Sequence, residues 1–457
     1  MPEFTHSSIV YAPVEEVFAW HARPGAFERL APPWESIRIL EKSGGIRVGG
    51  EVAMELRLGP ITRRWVARHT LYEKDRRFVD EQVRGPFASW RHDHRFTPRD
   101  EGSCVLVDHL RYRFPFGPLG TILGTFTKDR LRSLFIFRHR RIKEDLQRHG
   151  RYEKRPRLSL AITGASGLVG TALAAFLTTG GHRVHKLVRR PVKNENEIFW
   201  DPERGEIDYA ALENLDGVIH LAGENIAGGR WTETRKRAIR DSRERGTALL
   251  AETLAGLRRP PPVLVSSSAI GYYGTPGDKR LTEADPPGSG FLPEVCVAWE
   301  NAAGRAAAAG IRVVMLRTGI VLSGAGGALP RLLTPFRLGL GGSIGNGRQY
   351  MSWIALDDLL AVYLQALYDD DMRGPYNAVA PAPVTNAVFA AVLGRVLQRP
   401  AVIPVPPAAL RATYGEMAEE LLIKGQRVIP ERLRERSFTF FYPDLEDALR
   451  MAVGRFT

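Results

Sequence analysis

Hydrophobic and polar positions follow two rhythms along this chain, and the change falls near residue 157. Up to about residue 150 the period is mostly two. Glu51-Val-Ala-Met-Glu-Leu-Arg-Leu58, Arg64-Trp-Val-Ala-Arg-His-Thr-Leu71 and Ser103-Cys-Val-Leu-Val-Asp-His-Leu-Arg-Tyr112 alternate in the manner of strands with one buried face, as in an antiparallel sheet. An opening strand, Thr5 to Tyr11, precedes Ala12–His21, a short helix with Pro13 in its first turn, where the missing N–H costs nothing. From Ile122 to Gln147 the spacing becomes helical, with Leu131, Leu134, Phe135, Ile142 and Leu146 recurring on one face. The pattern predicts a strongly curved antiparallel sheet wrapped round one long C-terminal helix, with a pocket between them.

From Leu158 strands and helices alternate, as a parallel sheet requires. The predicted strands are Leu158–Thr163, His182–Val188, Gly217–Leu221, Pro262–Ser266 and Arg312–Arg317, and the clearest helices are Arg235–Leu257 and Cys296–Ala309. Between the two rhythms, Gln147–Arg157 gathers charge, glycine and proline and reads as a connection. Glycine-rich stretches at Ser323–Gly327 and Gly339–Gly347 look like substrate-site loops, and the segment from Pro406 onward reads as a small helical appendage with an aromatic strand, Ser437–Tyr442. The expected organisation is a first domain at 1–150, a linker at 151–157, a second domain at 158–404 and a helical extension at 405–457.

The first strand of the second domain runs into Gly164-Ala-Ser-Gly-Leu-Val-Gly170 and then an Ala/Leu-rich helix. Glycines spaced G-x-x-G-x-x-G between strand and helix allow a tight turn and a close approach to a ligand. The helix amino end offers free N–H groups and a positive dipole to a diphosphate. Gly164, Ser166, Gly167, Leu168, Val169 and Gly170 are therefore candidate dinucleotide contacts. After the next strand, where an NAD site carries Asp or Glu for the ribose hydroxyls, this chain has Arg189 and Arg190. A guanidinium grips a 2′-phosphate that a carboxylate would repel, so NADP is expected ahead of NAD, with NAD left open.

Composition narrows the setting. At 457 residues the chain exceeds what one core sustains, so two or three domains are expected. A net charge of +13 suits phosphate-bearing ligands, but no nucleic-acid module accompanies it, and neither nucleic acid nor membrane is an expected partner. The two cysteines, Cys104 and Cys296, exclude a disulfide framework. The N-terminus shows no basic-then-apolar signal and no apolar run nears the roughly 20 residues of a membrane span, so a cytoplasmic location is expected.

Ala12-Pro-Val-Glu-Glu-Val-Phe18 and Gly85-Pro-Phe-Ala-Ser-Trp90, within this element order, resemble the START-like polyketide cyclase/dehydrase superfamily and its helix-grip fold. The resemblance implies a hydrophobic small-molecule ligand. Trp90, His92, His94 and Asp108 alternate on strands and can face the cavity. His92 and His94 share a sheet face, which opens a metal or acid/base role beside the plainer one of histidines satisfied by neighbours. No cluster has a ligand spacing that names a metal.

The second half resembles the extended short-chain dehydrogenase/reductase superfamily, within it the atypical NAD-dependent epimerase/dehydratase proteins. The likeness rests on the glycine loop, His220-Leu-Ala-Gly-Glu-Asn225, Val265-Ser-Ser-Ser-Ala-Ile-Gly-Tyr-Tyr-Gly274, Tyr350-Met-Ser-Trp-Ile-Ala-Leu-Asp-Asp358, and a tail with Gly415–Leu422 and Gln426–Leu433. The fold class expected is thus an α/β Rossmann fold, a doubly wound parallel sheet, preceded by an α+β helix-grip domain. The resemblance also implies cofactor contacts at Leu221, Ala222, Gly223, Arg243, Ser266 and Arg317, and leaves the oligomeric state open with a homodimer as one arrangement.

Active members of that superfamily use a serine and a Tyr-x-x-x-Lys pair. Carried over, the serine falls at Ser268, with Ser267 as alternative, but Leu292 stands at the tyrosine position, Cys296 at the lysine position, and Arg243 where a water-holding asparagine is usual. A displaced proton donor is therefore expected among Tyr272, Tyr273, Glu294, Cys296 and Glu300. Cys296 is read as opening a helix whose dipole favours a thiolate, against the plainer reading of a small apolar filler. The resulting expectation is an NADP-dependent oxidoreductase or epimerase-like enzyme with an atypical site, catalytic candidates Ser268, Tyr273 and Cys296, and a small-molecule substrate met by Gly339–Arg348 and Met351–Trp353. A catalytically silent NADP(H) sensor or ligand-binding protein is the alternative.

Overall fold

A computed structural model describes residues 2–58, 61–115 and 124–456. The chain divides into two compact units, one of residues 1–157, 175–181 and 451–457, the other of 158–174 and 182–450. Among the described residues no helix is long and apolar enough to cross a membrane.

The first unit is a seven-stranded antiparallel sheet: β1 (Glu3–Val10), β2 (Ile37–Ser43), β3 (Glu51–Leu58), β4 (Ile61–Glu73), β5 (Arg77–Arg84), β6 (Ser89–Asp100) and β7 (Ser103–Arg113), in spatial order β1-β7-β6-β5-β4-β3-β2. Two short helices, α1 (Val14–Ala22) and α2 (Ala26–Leu30), follow β1, and α3 (Gly124–Gly150) follows β7. Pro13 caps α1 from outside, its carbonyl accepting from Glu16 and Val17, one residue earlier than expected. The expected start of α3 at Ile122 lies outside the described residues. Its end runs past Gln147, because Arg148 and His149 suit the negative end of a helix. Leu131 and Phe135 of α3 pack with Phe4, Trp90, Leu110 and Tyr112, while Ile142 and Leu146 pack with Val17, Phe18, Phe78, Phe96 and Leu106. Each such side chain contributes about 1.5–3 kcal/mol when fully buried. β5 escapes a period-two reading because Phe78 and Val79 are both buried in succession, beside a register shift in β4.

The second unit holds an eight-stranded sheet of β8 (Ser159–Thr163), β9 (Arg183–Val188), β10 (Glu197–Asp201), β11 (Glu206–Ile207), β12 (Gly217–His220), β13 (Val263–Ala269), β14 (Arg312–Thr318) and β15 (Gly374–Ala378). Its order is β11-β10-β9-β8-β12-β13-β14-β15, parallel except where β10 meets β11. The helices that matter for the site are α4 (Leu168–Thr179), α5 (Glu233–Ala255), α6 (Phe291–Gly304) and α7 (Leu356–Tyr368). The chain builds outward from β8 through β9 and β10, then returns to lay β12 on the other side of β8. That reversal opens a crevice at the carboxyl ends of β8 and β12, where ligands of such sheets bind.

Two sequence expectations are corrected. α6 begins at Phe291, so Cys296 lies in its second turn and opens nothing, and Arg305–Ala309 continues as a 3-10 turn. The aromatic segment Ser437–Tyr442 is not a strand. Ser437 has φ +53°, which breaks an extended run, and the amides of Phe441 and Tyr442 donate to the carboxylate of Asp358 at 3.0 and 2.9 Å instead of to a neighbouring strand.

Candidate functional site

Thr163 ends β8 and fixes the crevice floor. Its hydroxyl oxygen accepts from the amides of Leu221 and Ala222 at 3.0 and 3.1 Å and lies 2.8 Å from Nδ1 of His220. With two N–H groups accepted, the hydroxyl hydrogen goes to Nδ1, which leaves Nε2 to donate to Thr247 at 2.8 Å. Burial, helped by the charge of Arg243, brings His220 down to about 4, so it stays neutral as a brace between β8, β12 and α5.

Immediately beyond Thr163 the chain turns through Gly164 at φ +65°. A Cβ there would lie 2.8 Å from the carbonyl carbon of Leu221, and one at Gly170 would overlap the Gly164 oxygen. Both glycines are thus required by close backbone approach, which joins the expected residues Gly164–Gly170 and Leu221–Gly223 into one cradle. The first helical bond of α4 runs from Thr171 to Gly167, so the amides of Leu168, Val169 and Gly170 precede it. Ser166 and Gly167 are exposed, and no acidic residue stands in the first turn. The cradle suits a diphosphate: backbone donors and a positive helix end.

The two arginines after β9 differ. Arg190 has both terminal nitrogens committed, one at 2.9 Å and the other at 2.5 Å from the carboxylate of Glu197, with Pro191 carbonyl also accepting. Its guanidinium is thus engaged by Glu197, which the sequence does not announce. Arg189 projects into solvent, with only the equally exposed Glu203 at 3.8 Å.

Deeper along β13 and β14 the sequence candidates meet in a buried network. Ser268 stands opposite Arg317 in the ladder and donates to Glu300 of α6 at 2.7 Å. Arg317 reaches both Glu300 oxygens at 2.8 Å and donates to Tyr273 at 3.0 Å, while Tyr273 donates to Asn377 at 2.7 Å. The guanidinium also lies 3.4 Å from the Tyr272 ring centre. Burial opposes its charge, but Glu300 outweighs burial and holds Arg317 cationic. Three of its five N–H groups are held inside the protein, so Arg317 serves this buried network. Asn377 and the nearby Glu283, whose carboxylate accepts from the Asn377 amide at 2.9 Å, carry no local motif and only the fold reveals them.

The remaining candidates are accounted for individually. Burial, then the charge of Glu300, pushes the Cys296 thiol up to about 12; it donates weakly to the Ala269 carbonyl at 3.7 Å. The thiolate expected there is reversed by burial. Burial also pushes Tyr273 up to about 12. Leu292 and Cys296 pack against Gly271. Arg243 lies beside Gly223, donates to the carbonyls of Glu224 and Ile239, and sits 5.0 Å from the Trp299 ring centre. Ser266 is buried next to His220 in the ladder, and Ser267 pairs with Tyr363 at 2.7 Å. Glu294 and Arg348 are exposed, and Trp353 is buried.

A doubly wound sheet with a glycine turn at its switch point and a helix amino end facing the crevice defines a Rossmann unit of the short-chain dehydrogenase/reductase class. Family models match three successive regions: polyketide cyclase/dehydrase and lipid transport over residues 10–135, the NAD-dependent epimerase/dehydratase family over 160–378, and a domain of unknown function over 405–452. An epimerase family protein of Mycobacterium bovis is 44% identical over 296 residues, covering 65% of this chain and 98% of that protein. The chain belongs to the NAD-dependent epimerase/dehydratase family. A crystal structure of a nucleoside-diphosphate sugar epimerase from Corynebacterium glutamicum is similar over 99% of this chain and 90% of that one, at 36% identity and a TM-score of 0.81. The human epimerase family protein SDR39U1, solved with NADPH, matches 65% of this chain and 99% of that one, at 35% identity and a TM-score of 0.60.

Proposed function

We propose that the second unit binds NADP(H) and works as an NADP-dependent oxidoreductase or epimerase-like enzyme on a small carbonyl or nucleotide-linked sugar. The observation that carries this reading is the cradle at Gly164 and Gly170, which an added Cβ would fill, together with the exposed Arg189. The NADPH in the human relative and the description of the Corynebacterium protein support it. In the bound state the cofactor supplies hydride transfer at nicotinamide C4. The turn from Gly164 to Gly170 receives the diphosphate and Arg189 receives the 2′-phosphate. Ser268 has given its own hydrogen to Glu300, so its oxygen is left to accept from, and so orient, a substrate hydroxyl. In the first unit, Trp65, Phe87, Trp90 and Tyr112 offer aromatic walls for a hydrophobic ligand, in keeping with its family description.

A second reading, a silent NADP(H) sensor, is favoured by Leu292 and the protonated Cys296 standing where a proton-transfer pair is usual. Incubating the purified chain with C4-deuterated NADPH and a library of carbonyls and nucleotide sugars separates the two. Deuterium passing to a substrate supports the enzyme; tight binding with no exchange supports the sensor; absence of NADPH binding overturns both.

A further inference from the structure

We infer that the first unit holds a divalent transition-metal ion of the zinc(II) or iron(II) kind on Asp80, His92 and His94. The placement follows from the sheet. His92 and His94 are two residues apart on β6 and so share a face, Asp80 stands opposite His92 on β5, and Asp108 stands opposite His94 on β7. All four are in the interior, and His92, His94 and Asp108 are buried.

One Asp80 oxygen lies 3.5 Å from Nδ1 of His92 and 3.4 Å from Nε2 of His94, and the three donor atoms all fall within 4.8 Å of one another. Ligand atoms about 2.1 Å from a tetrahedral ion stand roughly 3.4 Å apart. The opposite ring nitrogens of both histidines face Asp108: His92 Nε2 at 2.9 Å and His94 Nδ1 at 2.7 Å from one oxygen. His139, on α3, takes the other oxygen at 2.6 Å and is itself tied to Ser8 at 2.8 Å. The hydrogen bond from His92 to Asp108 is the kind of carboxylate contact that fixes a ligating ring and its tautomer in metal sites, and Asp108 lies close behind His94 as well.

That arrangement leaves a specific electronic demand. With the His92 Nε2–H given to Asp108, Nδ1 of His92 presents a lone pair beside the Asp80 oxygen, and Nε2 of His94, 3.4 Å from that oxygen, is a third donor when the His94 proton sits on Nδ1. A cation between them satisfies all three. Two imidazoles and one carboxylate suit zinc(II) or iron(II), and three protein ligands leave a position for water or a ligand oxygen. Phe78 stacks on His94 at 4.1 Å and Phe135 meets the His92 ring edge at 5.4 Å, so the site has an apolar wall.

The test uses the full chain, stripped with chelator and reloaded with zinc(II), or with iron(II) under anaerobic conditions, followed by dialysis and elemental analysis. Stoichiometric retention is expected. Asp80→Asn and His94→Gln should abolish it, Asp108→Asn should weaken it by about 10–100-fold, and His109→Gln, outside the cluster, should leave it intact. Circular dichroism and melting curves check folding. If the ligand variants do not fold, cobalt(II) in the unmodified chain decides: intense visible bands of a four- or five-coordinate ion support the site, and a weak octahedral spectrum overturns it. Retention that is negligible in the unmodified chain, or equal in the folded variants, also overturns it.

Discussion

Ser268 gives its hydroxyl hydrogen to Glu300, and the same carboxylate oxygen takes the Nε–H of Arg317 at 2.8 Å. One buried acid on α6 therefore ties the serine of β13 to the arginine of β14. Removing its charge leaves a buried guanidinium uncompensated. Glu300→Gln is expected to destabilise the second unit by about 3–5 kcal/mol, and adding Arg317→Met should recover part of that loss. Urea unfolding measures both; equal stability of Glu300→Gln and the unmodified chain would contradict the network.

The proposed preference for NADP rests on one arginine. Arg189→Asp should weaken NADPH binding by about 10–100-fold, the range of a charge-assisted contact of 1.5–3 kcal/mol, and leave NADH nearly unchanged. Arg190→Ala should alter NADPH affinity little, since its guanidinium serves Glu197. Titration calorimetry with both dinucleotides reads this, and a larger loss at Arg190 would reverse the assignment.

Gly164→Ala places a methyl against Leu221 in a backbone region that alanine avoids. It should cost at least about 1–3 kcal/mol and abolish NADPH binding at micromolar cofactor. Retained binding would mean that the cradle is not the diphosphate site.

Acid should loosen the crevice through His220. Its folded value of about 4 lies below the ordinary 6.5, so the unfolded chain takes up this proton first. The stability it contributes is complete above pH 6.5 and is lost between 6.5 and about 4, at roughly 1.4 kcal/mol per pH unit. His220→Gln should be less stable at neutral pH yet show a shallower decline on acidification. Melting curves from pH 7 to 4.5 supply the comparison, and parallel slopes would refute the brace.

A thiol held near 12 reacts slowly. Cys296 should resist iodoacetamide at pH 8 until the chain is unfolded, and Cys296→Ala should keep NADPH binding. Rapid labelling of the folded chain would restore the thiolate reading.

Much of the fold is legible in the sequence. The glycine turn showed itself because backbone approach admits no other residue type at Gly164 and Gly170, and Ser268 because its motif is local. Strands with clean alternation were readable, whereas β15 was hidden by Gly374, Pro375 and Asn377, residues a central strand avoids but this edge strand tolerates. Partnerships were not readable. Nothing near Arg317 in sequence announces Glu300 or Tyr273, and Asp80 joins His92 and His94 only through the pairing of β5 with β6. The pairing of Arg190 with Glu197 is hidden for the same reason, since Glu197 arrives with a strand the pattern does not reveal.

The seat that Asp358 provides for Phe441 and Tyr442 couples two distant parts of the second unit. A carboxylate projecting from α7 can receive those amides only once that helix is formed and settled on the sheet, although the partners stand more than 80 positions apart along the chain. The segment carrying Phe441 and Tyr442 is therefore tied to α7 through a single carboxylate, and loss of that helix would free both amides together.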